Sequence, residues 1–201
     1  MKKNITFDDL KCSTMTKKVT IGEAADIRFG LYAQPRQFGS AGYLQLSQFN
    51  EDGSTMAEPE GYINIDKKTA PHLLTDGDVL FVGKGSRLFS TCFVESDLPA
   101  VASSVFFVLR PDKTVVDSEY LAAILNAPQS KATFRQIGGG TSIFSIRTSE
   151  LAAFEIPLPP MEQQKRIAAL TRLHRLDIDM MHQLIAQKQN LYTAIISKLI
   201  N

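Results

Sequence analysis

E-I-P-L-P-P-M-E-Q-Q-K-R-I-A-A-L, residues 155–170, runs on after Pro160 to residue 201 with neither Pro nor Gly. Pro159 and Pro160 make a stiff, extended lead-in. Pro160 suits a helix start, where the missing N–H is not needed, and Glu162 sits near the positive end of the helix dipole. One helix from Met161 to Ile200 would measure about 60 Å at ~1.5 Å per residue. That exceeds the span of a small domain, so such a helix must lie against something outside its own globule.

The apolar face of this helix runs through Leu173, Leu176, Met180, Leu184, Leu191 and Ile195, with Gln187 as a polar interruption. The steps are 3, 4, 4 and again 3, 4, 4, an 11-residue rhythm that packs nearly straight or with slight right-handed supercoil. Ile167, Leu170 and Leu199 extend the stripe, and Lys165, Arg166, Arg172, Arg175, Gln183, Lys188 and Gln189 occupy the other face. Two readings stand: a helix packed on its own domain, or a surface for a partner helix.

The 201 residues allow one domain with a good core plus an appendage. A hydrophobic share of 44% and a charged share of 21% are those of an ordinary soluble globular chain. The formal net charge of +1 divides unevenly: of 22 basic and 21 acidic side chains, residues 161–201 hold 6 and 3 (+3), leaving 16 and 18 (−2) before them. A near-neutral globule is poor ground for nucleic-acid binding by bulk charge. Any such role needs a local basic patch or a partner that supplies charge. Cys12 and Cys92 make neither a disulfide framework nor a zinc spacing. The N-terminus lacks the apolar core of a signal peptide, and no run reaches the ~20 apolar residues of a membrane span. A cytoplasmic location is expected.

Residues 1–17 read as a polar arm. Short strands are expected at residues 18–21, 43–49, 62–65, 79–82, 91–94 and 104–109, with a helical turn over residues 22–27. Together they imply a compact, partly barrel-like β unit. Asp117 caps a helix through Leu125, Pro128 restarts one, and Thr148–Leu151 is a short capped turn. Gly83-Lys84-Gly85-Ser86 is not a phosphate loop, because Gly85 stands where Ser or Thr must follow the Lys. His72, His174 and His182 have no ligand-spaced partners, Asp177 and Asp179 face different sides of the helix, and no serine sits in a nucleophile elbow. Catalysis within the chain is not expected, and no cofactor is implied for it.

Ile156-Pro157-Leu158-Pro159-Pro160-Met161-Glu162-Gln163-Gln164-Lys165-Arg166-Ile167, followed by a long helix, resembles the segment that ends each target-recognition domain in the specificity subunits of type I restriction–modification systems. Val19 to Gly30, Gly77 to Arg87 and Gly139 to Ile146 resemble further segments of that family more loosely. The resemblance implies an α+β chain: an arm (1–17), a β-rich DNA target-recognition domain with short helices (18–160), and one long coiled-coil-type spacer helix (161–201). It implies double-stranded DNA as ligand. It also implies a modification subunit that holds S-adenosylmethionine and methylates adenine, and a restriction subunit with a helicase-type motor. The family's usual chain carries two recognition domains and two helices that pair antiparallel. One of each here points to a half-size subunit that forms a homodimer, or to a truncated product. Gln34, Arg36, Gln37, Lys84, Ser86, Arg87, Thr141, Ser142 and Arg147 are the expected DNA contacts, being polar or basic tips on Gly-containing loops. The alternative is a protein-interaction adaptor that uses the helix without touching DNA, which the −2 globule favours.

Overall fold

The computed structural model describes residues 17–50, 53, 54, 59–94, 99–139 and 144–200. The arm expected over residues 1–17 lies almost wholly outside them.

Val79-Leu80-Phe81-Val82 is buried at every position and forms β5 (Val79–Val82), at the centre of the domain. Side chains alternate across a strand, so this run needs cover on both faces, and both are supplied. β5 pairs antiparallel with β6 (Ser90–Cys92) and β8 (Phe106–Pro111), and β8 pairs antiparallel with β2 (Ala25–Phe29). The sheet order is β2-β8-β5-β6. Val79, Phe81, Phe107 and Leu109 face a helical layer that contributes Tyr120, Leu121, Leu125, Phe134, Leu151 and Ala168. Leu80, Val82, Phe106 and Val108 face the other way, onto Phe49, Leu74, Phe89, Ala100 and Ala102. The rings of Phe81 and Phe134 lie 4.9 Å apart on the first face, and those of Phe49 and Phe106 lie 5.5 Å apart on the second.

A second sheet has the order β4-β3-β7, from β3 (Ala41–Leu44), β4 (Tyr62–Ile63) and β7 (Ala100–Ala102), with β3 and β7 parallel. A third pairs β1 (Lys17–Thr20) with β9 (Glu155–Leu158). The described strands therefore form three separate sheets and not one partial barrel.

The helical layer comprises α1 (Ile21–Ala24), α2 (Ser118–Asn126), α3 (Pro128–Gly138), α4 (Thr148–Ala152) and the start of α5 (Met161–Ile200). Asp117 caps α2 by accepting from the Tyr120 N–H at 2.9 Å. The strand expected over 43–49 ends at Leu44, and a 3-10 turn follows over Leu46–Gln48. One local and one tertiary contact favour it: the Gln48 amide oxygen accepts the Gln45 N–H, and Arg87 donates to the carbonyls of Leu46 and Phe49. The turn expected over 22–27 is helical only to Ala24, after which the chain enters β2.

Asp78 is a second internal anchor. Its side chain is 1% exposed and accepts from Arg110 Nε at 2.8 Å, Arg110 Nη2 at 2.7 Å and the Thr75 N–H at 2.8 Å. Arg110 keeps 31% of its side chain in solvent and can rehydrate, so Asp78→Ala is expected to lower stability by about 2 kcal/mol. Urea unfolding checks this, with a shift in midpoint at constant slope.

α5 leaves the domain at a fixed joint. Gln164 is 1% exposed. Its Oε1 accepts the Asp117 N–H at 2.9 Å, and its Nε2 donates to the carbonyls of Pro159 at 2.9 Å and Val115 at 3.2 Å. Arg172 reaches Glu119 of α2 at 3.2 Å. Beyond that the helix stands free: from Met180 to Ile200 every residue except Ile196 is exposed.

Candidate nucleic-acid interface

β2 and β5 both run antiparallel to β8. Their C-terminal ends therefore emerge at one end of the central sheet, where β8 begins. Phe29, the last residue of β2, pairs with Phe107, and Gly30 donates to the Phe106 carbonyl at 3.0 Å. Gly83, just past β5, donates to the Val105 carbonyl at 3.2 Å. Segment 144–147 joins the same end: Lys84 bridges Ser145, the Gly85 N–H reaches the Phe144 carbonyl at 3.1 Å, and the Ile146 N–H reaches the Gly83 carbonyl at 2.9 Å.

Two glycines make this junction possible. A Cβ on Gly83 would stand 2.2 Å from the Phe107 ring, so only Gly admits the crossing. Gly85 has φ +110 and nothing within 4 Å of its Cβ position. Its backbone is thus in a conformation that favours Gly, with open space above it.

The segments gathered here are 29–40, 83–88, 103–106 and 144–147. They hold Arg36, Lys84, Arg87 and Arg147, and the segment hydrogen-bonded to 29–40, residues 60–66, adds Glu60 and Asp66. Glu150, which follows, is taken up by the Arg147 backbone N–H at 2.8 Å. At the other end of the same sheet, segments 74–79 and 110–119 hold Asp76, Asp78, Asp112, Asp117 and Glu119 against Arg110 and Lys113. Cations are thus in excess at one end of the near-neutral globule and carboxylates at the other. A count over the sequence cannot show this, because it adds both ends together.

Of the expected contacts, Gln34, Arg36 and Gln37 are exposed on the loop after β2. The Arg36 backbone is fixed by two hydrogen bonds with Tyr62, at 2.8 and 2.9 Å. Lys84, Ser86 and Arg147 are exposed on the turn and the segment beside it. Arg87 points inward: its guanidinium donates to the carbonyls of Phe49 and Leu46, which ties the turn to the body of the domain. Thr141 and Ser142 lie outside the described residues. Sequence reasoning passed over Tyr32 and Phe38, two exposed aromatics on the loop after β2. The available signal was their placement in a polar stretch between Gly30 and Gly39.

A cleft of about 380 Å³ at the acidic end is lined in part by Asp76, Cys92, Lys113, Asp117, Glu119 and Lys165. Burial, and then the carboxylates of Glu119, Asp76 and Asp117, push the Cys92 thiol up to about 12. It stays protonated and is a poor nucleophile. No helix among the described residues is long and apolar enough to cross a membrane.

Among solved structures, the chain is similar to the type I restriction–modification S subunit of M. genitalium, with a TM-score of 0.58 at 19% identity, over 84% of this chain and 41% of that one. It is also similar to the HsdS subunit of Thermoanaerobacter tengcongensis, with a TM-score of 0.51 at 20% identity, over 82% of this chain and 38% of that one. These likenesses establish the fold: a β-rich domain with one long C-terminal helix. Among curated proteins, the type I restriction enzyme MjaX specificity subunit of Methanocaldococcus jannaschii is 28% identical over 116 residues, which is 55% of this chain and 27% of that protein. The chain thus spans about a quarter of that relative's length and about two fifths of the solved ones. The family described as "Type I restriction modification DNA specificity domain" matches residues 43–189, well over half of the sequence, and the chain belongs to that family.

Proposed function

We propose that this chain is a sequence-specific DNA-recognition module of a type I restriction–modification complex. It carries no catalytic step itself. It brings an adenine methyltransferase subunit, and with it a restriction subunit, to a bipartite target in duplex DNA. The cation-rich end of the central sheet meets the duplex. Lys84 and Arg147 contact phosphates or base edges, and Gln34, Arg36, Gln37 and Ser86 supply further donors. Thr141 and Ser142 belong to the same proposed surface by their place in the sequence. Arg87 holds the turn in position. The free part of α5 pairs antiparallel with the α5 of a second copy.

The observation that carries this reading is the segregation of charge. An excess of cations on loops at one end fits a polyanion, and a glycine turn there allows close backbone approach. The adaptor reading uses the exposed face of α5 equally well but leaves the cationic end without a role.

A salt series of duplex binding is the test. Lys84→Ala and Arg147→Ala are each expected to lower the slope of log K against log salt by roughly one if a phosphate contact is lost, or to weaken binding by about 1–3 kcal/mol at one base position if a base contact is lost. Arg87→Ala is unsuitable, because it also frees the Leu46–Phe49 segment. Unchanged affinity and slope in both variants would remove this end of the sheet from the interface.

A further inference from the structure

Tyr32 is the most exposed large apolar side chain among those described, at 83%, yet the backbone that carries it is locked. The lock is one phenol. Tyr43 is 2% exposed, and its hydroxyl donates to the Leu31 carbonyl at 2.7 Å while accepting the Ala33 N–H at 3.2 Å. The residues on both sides of Tyr32 are therefore held by a single buried group. Burial raises the Tyr43 pKa above its ordinary value, so the donor is retained well into alkaline pH. The Leu31 N–H adds a bond to the Ala102 carbonyl at 2.8 Å. An aromatic ring left in water gains nothing from burial, and this one is left open among the described residues. The geometry presents a rigid ring to something outside the chain.

The surroundings say what that is. Segment 29–40 carries Arg36 and no carboxylate, and it leaves the sheet at the same end as Lys84 and Arg147. The loop that carries the ring bears Arg36 as its one charged side chain and shares its end of the sheet with Lys84 and Arg147, an excess of positive charge that suits a polyanion. Base faces accept aromatic stacking whatever their sequence, and apolar side chains pushed between base pairs unstack and kink duplexes.

We propose that Tyr32 is a wedge that stacks against a base at a step it opens in the bound duplex, and that Tyr43 is the residue that positions it. The proposal rests on the DNA reading above and adds a contact to it that is neither a phosphate nor a hydrogen-bonded base contact.

The chain contains no Trp, so Tyr32→Trp makes a single-tryptophan protein whose emission reports on this position. The probe is the pool of duplexes that the full wild-type chain enriches from random 40-base-pair DNA. Saturating Tyr32→Trp with that pool is expected to quench its emission strongly, because the indole stacks on a base. Tyr32→Ala is expected to bind the pool about tenfold more weakly or worse, with the salt slope unchanged because no charge is lost. Tyr32→Phe is expected to restore binding, because the ring and not the hydroxyl makes the contact. In the double variant Tyr32→Trp, Tyr43→Phe the quench is expected to shrink as the loop loosens.

A bound duplex without quenching, or Tyr32→Ala binding as tightly as wild type, overturns the wedge and leaves the DNA reading intact. A full quench in the double variant overturns the role of Tyr43. A wild-type chain that enriches no duplex at all overturns the DNA reading and the wedge together. Tyr32→Ala that binds DNA normally but loses a protein partner assigns the ring to a protein interface instead.

Discussion

Gln164→Leu is expected to lower the stability of the domain by on the order of 3–5 kcal/mol, because three backbone groups lose their partner at once. The Asp117 N–H and the carbonyls of Val115 and Pro159 all converge on one buried amide. Leucine matches its volume but offers no donor and no acceptor. Each orphaned group costs about 1–3 kcal/mol where water cannot reach it, and local relaxation recovers part of the sum. In a chain of this size the melting midpoint should fall by roughly 10 °C. Arg172→Ala is the control. Its contact with Glu119 is exposed on both sides, at 67% and 37%, and such pairs contribute at most about 1 kcal/mol. A midpoint shift for Gln164→Leu no larger than that of the control would show that the joint is held by something else. The joint also has a functional meaning. Gln164 ties the first turn of α5 to the cap of α2, so it sets the direction in which the helix leaves the domain. If two domains are held apart by paired helices, that direction sets the distance between the DNA segments they read.

Much of this was legible in the sequence because it is local. Two prolines followed by an unbroken run without Pro or Gly announced α5, and its start at Met161 follows from that chemistry. Asp117 as a cap, Pro128 as a helix start and Val79–Val82 as a buried strand rest on equally short-range signals.

What escaped is non-local. Ala100-Val101-Ala102 is too plain to read as a strand, and it becomes β7 through parallel pairing with β3. Residues 155–158 received no strand reading, and they become β9 because β1 is there to pair with them. Residues 46–49 alternate like a strand, but Arg87, some forty residues later, takes their carbonyls and favours a turn. Gln164 was visible only as one letter of a motif. Its role depends on Val115 and Asp117, which sequence reading had no reason to bring near it. The candidate interface shows the same division. Lys84, Ser86 and Arg147 stood out as basic or polar tips near glycines. The end-to-end polarity of the domain and the clamp under Tyr32 both need the topology of the sheet.

Leu184→Asp is expected to split the dimer proposed for the wild-type chain through α5. Leu173, Leu176, Met180, Leu184, Leu191 and Ile195 are each 49–63% exposed, and the helix beyond Met180 touches nothing over most of its length. About 30 Å of helix with an apolar stripe, at ~1.5 Å per residue, is costly to leave in water. A second copy offers a stripe of the same length and rhythm. A two-fold axis near Met181–Leu184 makes the pairing antiparallel and places the two globules at opposite ends. Both copies then meet the duplex in inverted order, so the target should be a palindrome interrupted by a fixed spacer. Close to such an axis each Leu184 approaches its own symmetry mate. One substitution therefore introduces two like charges into the same apolar contact, each without a partner, and burying unpaired charges costs several kcal/mol. The dimer should weaken at least a hundredfold, by the usual ~1.4 kcal/mol per decade. The domain itself should stay folded, because Leu184 lies beyond the part of α5 that packs on α2. Sedimentation at micromolar concentration is decisive: the wild type should run at twice the 22.2 kDa chain mass and Leu184→Asp at the chain mass, with matching circular dichroism. A wild-type chain that sediments as a clean monomer, with and without DNA, would remove the dimer and the palindromic target with it.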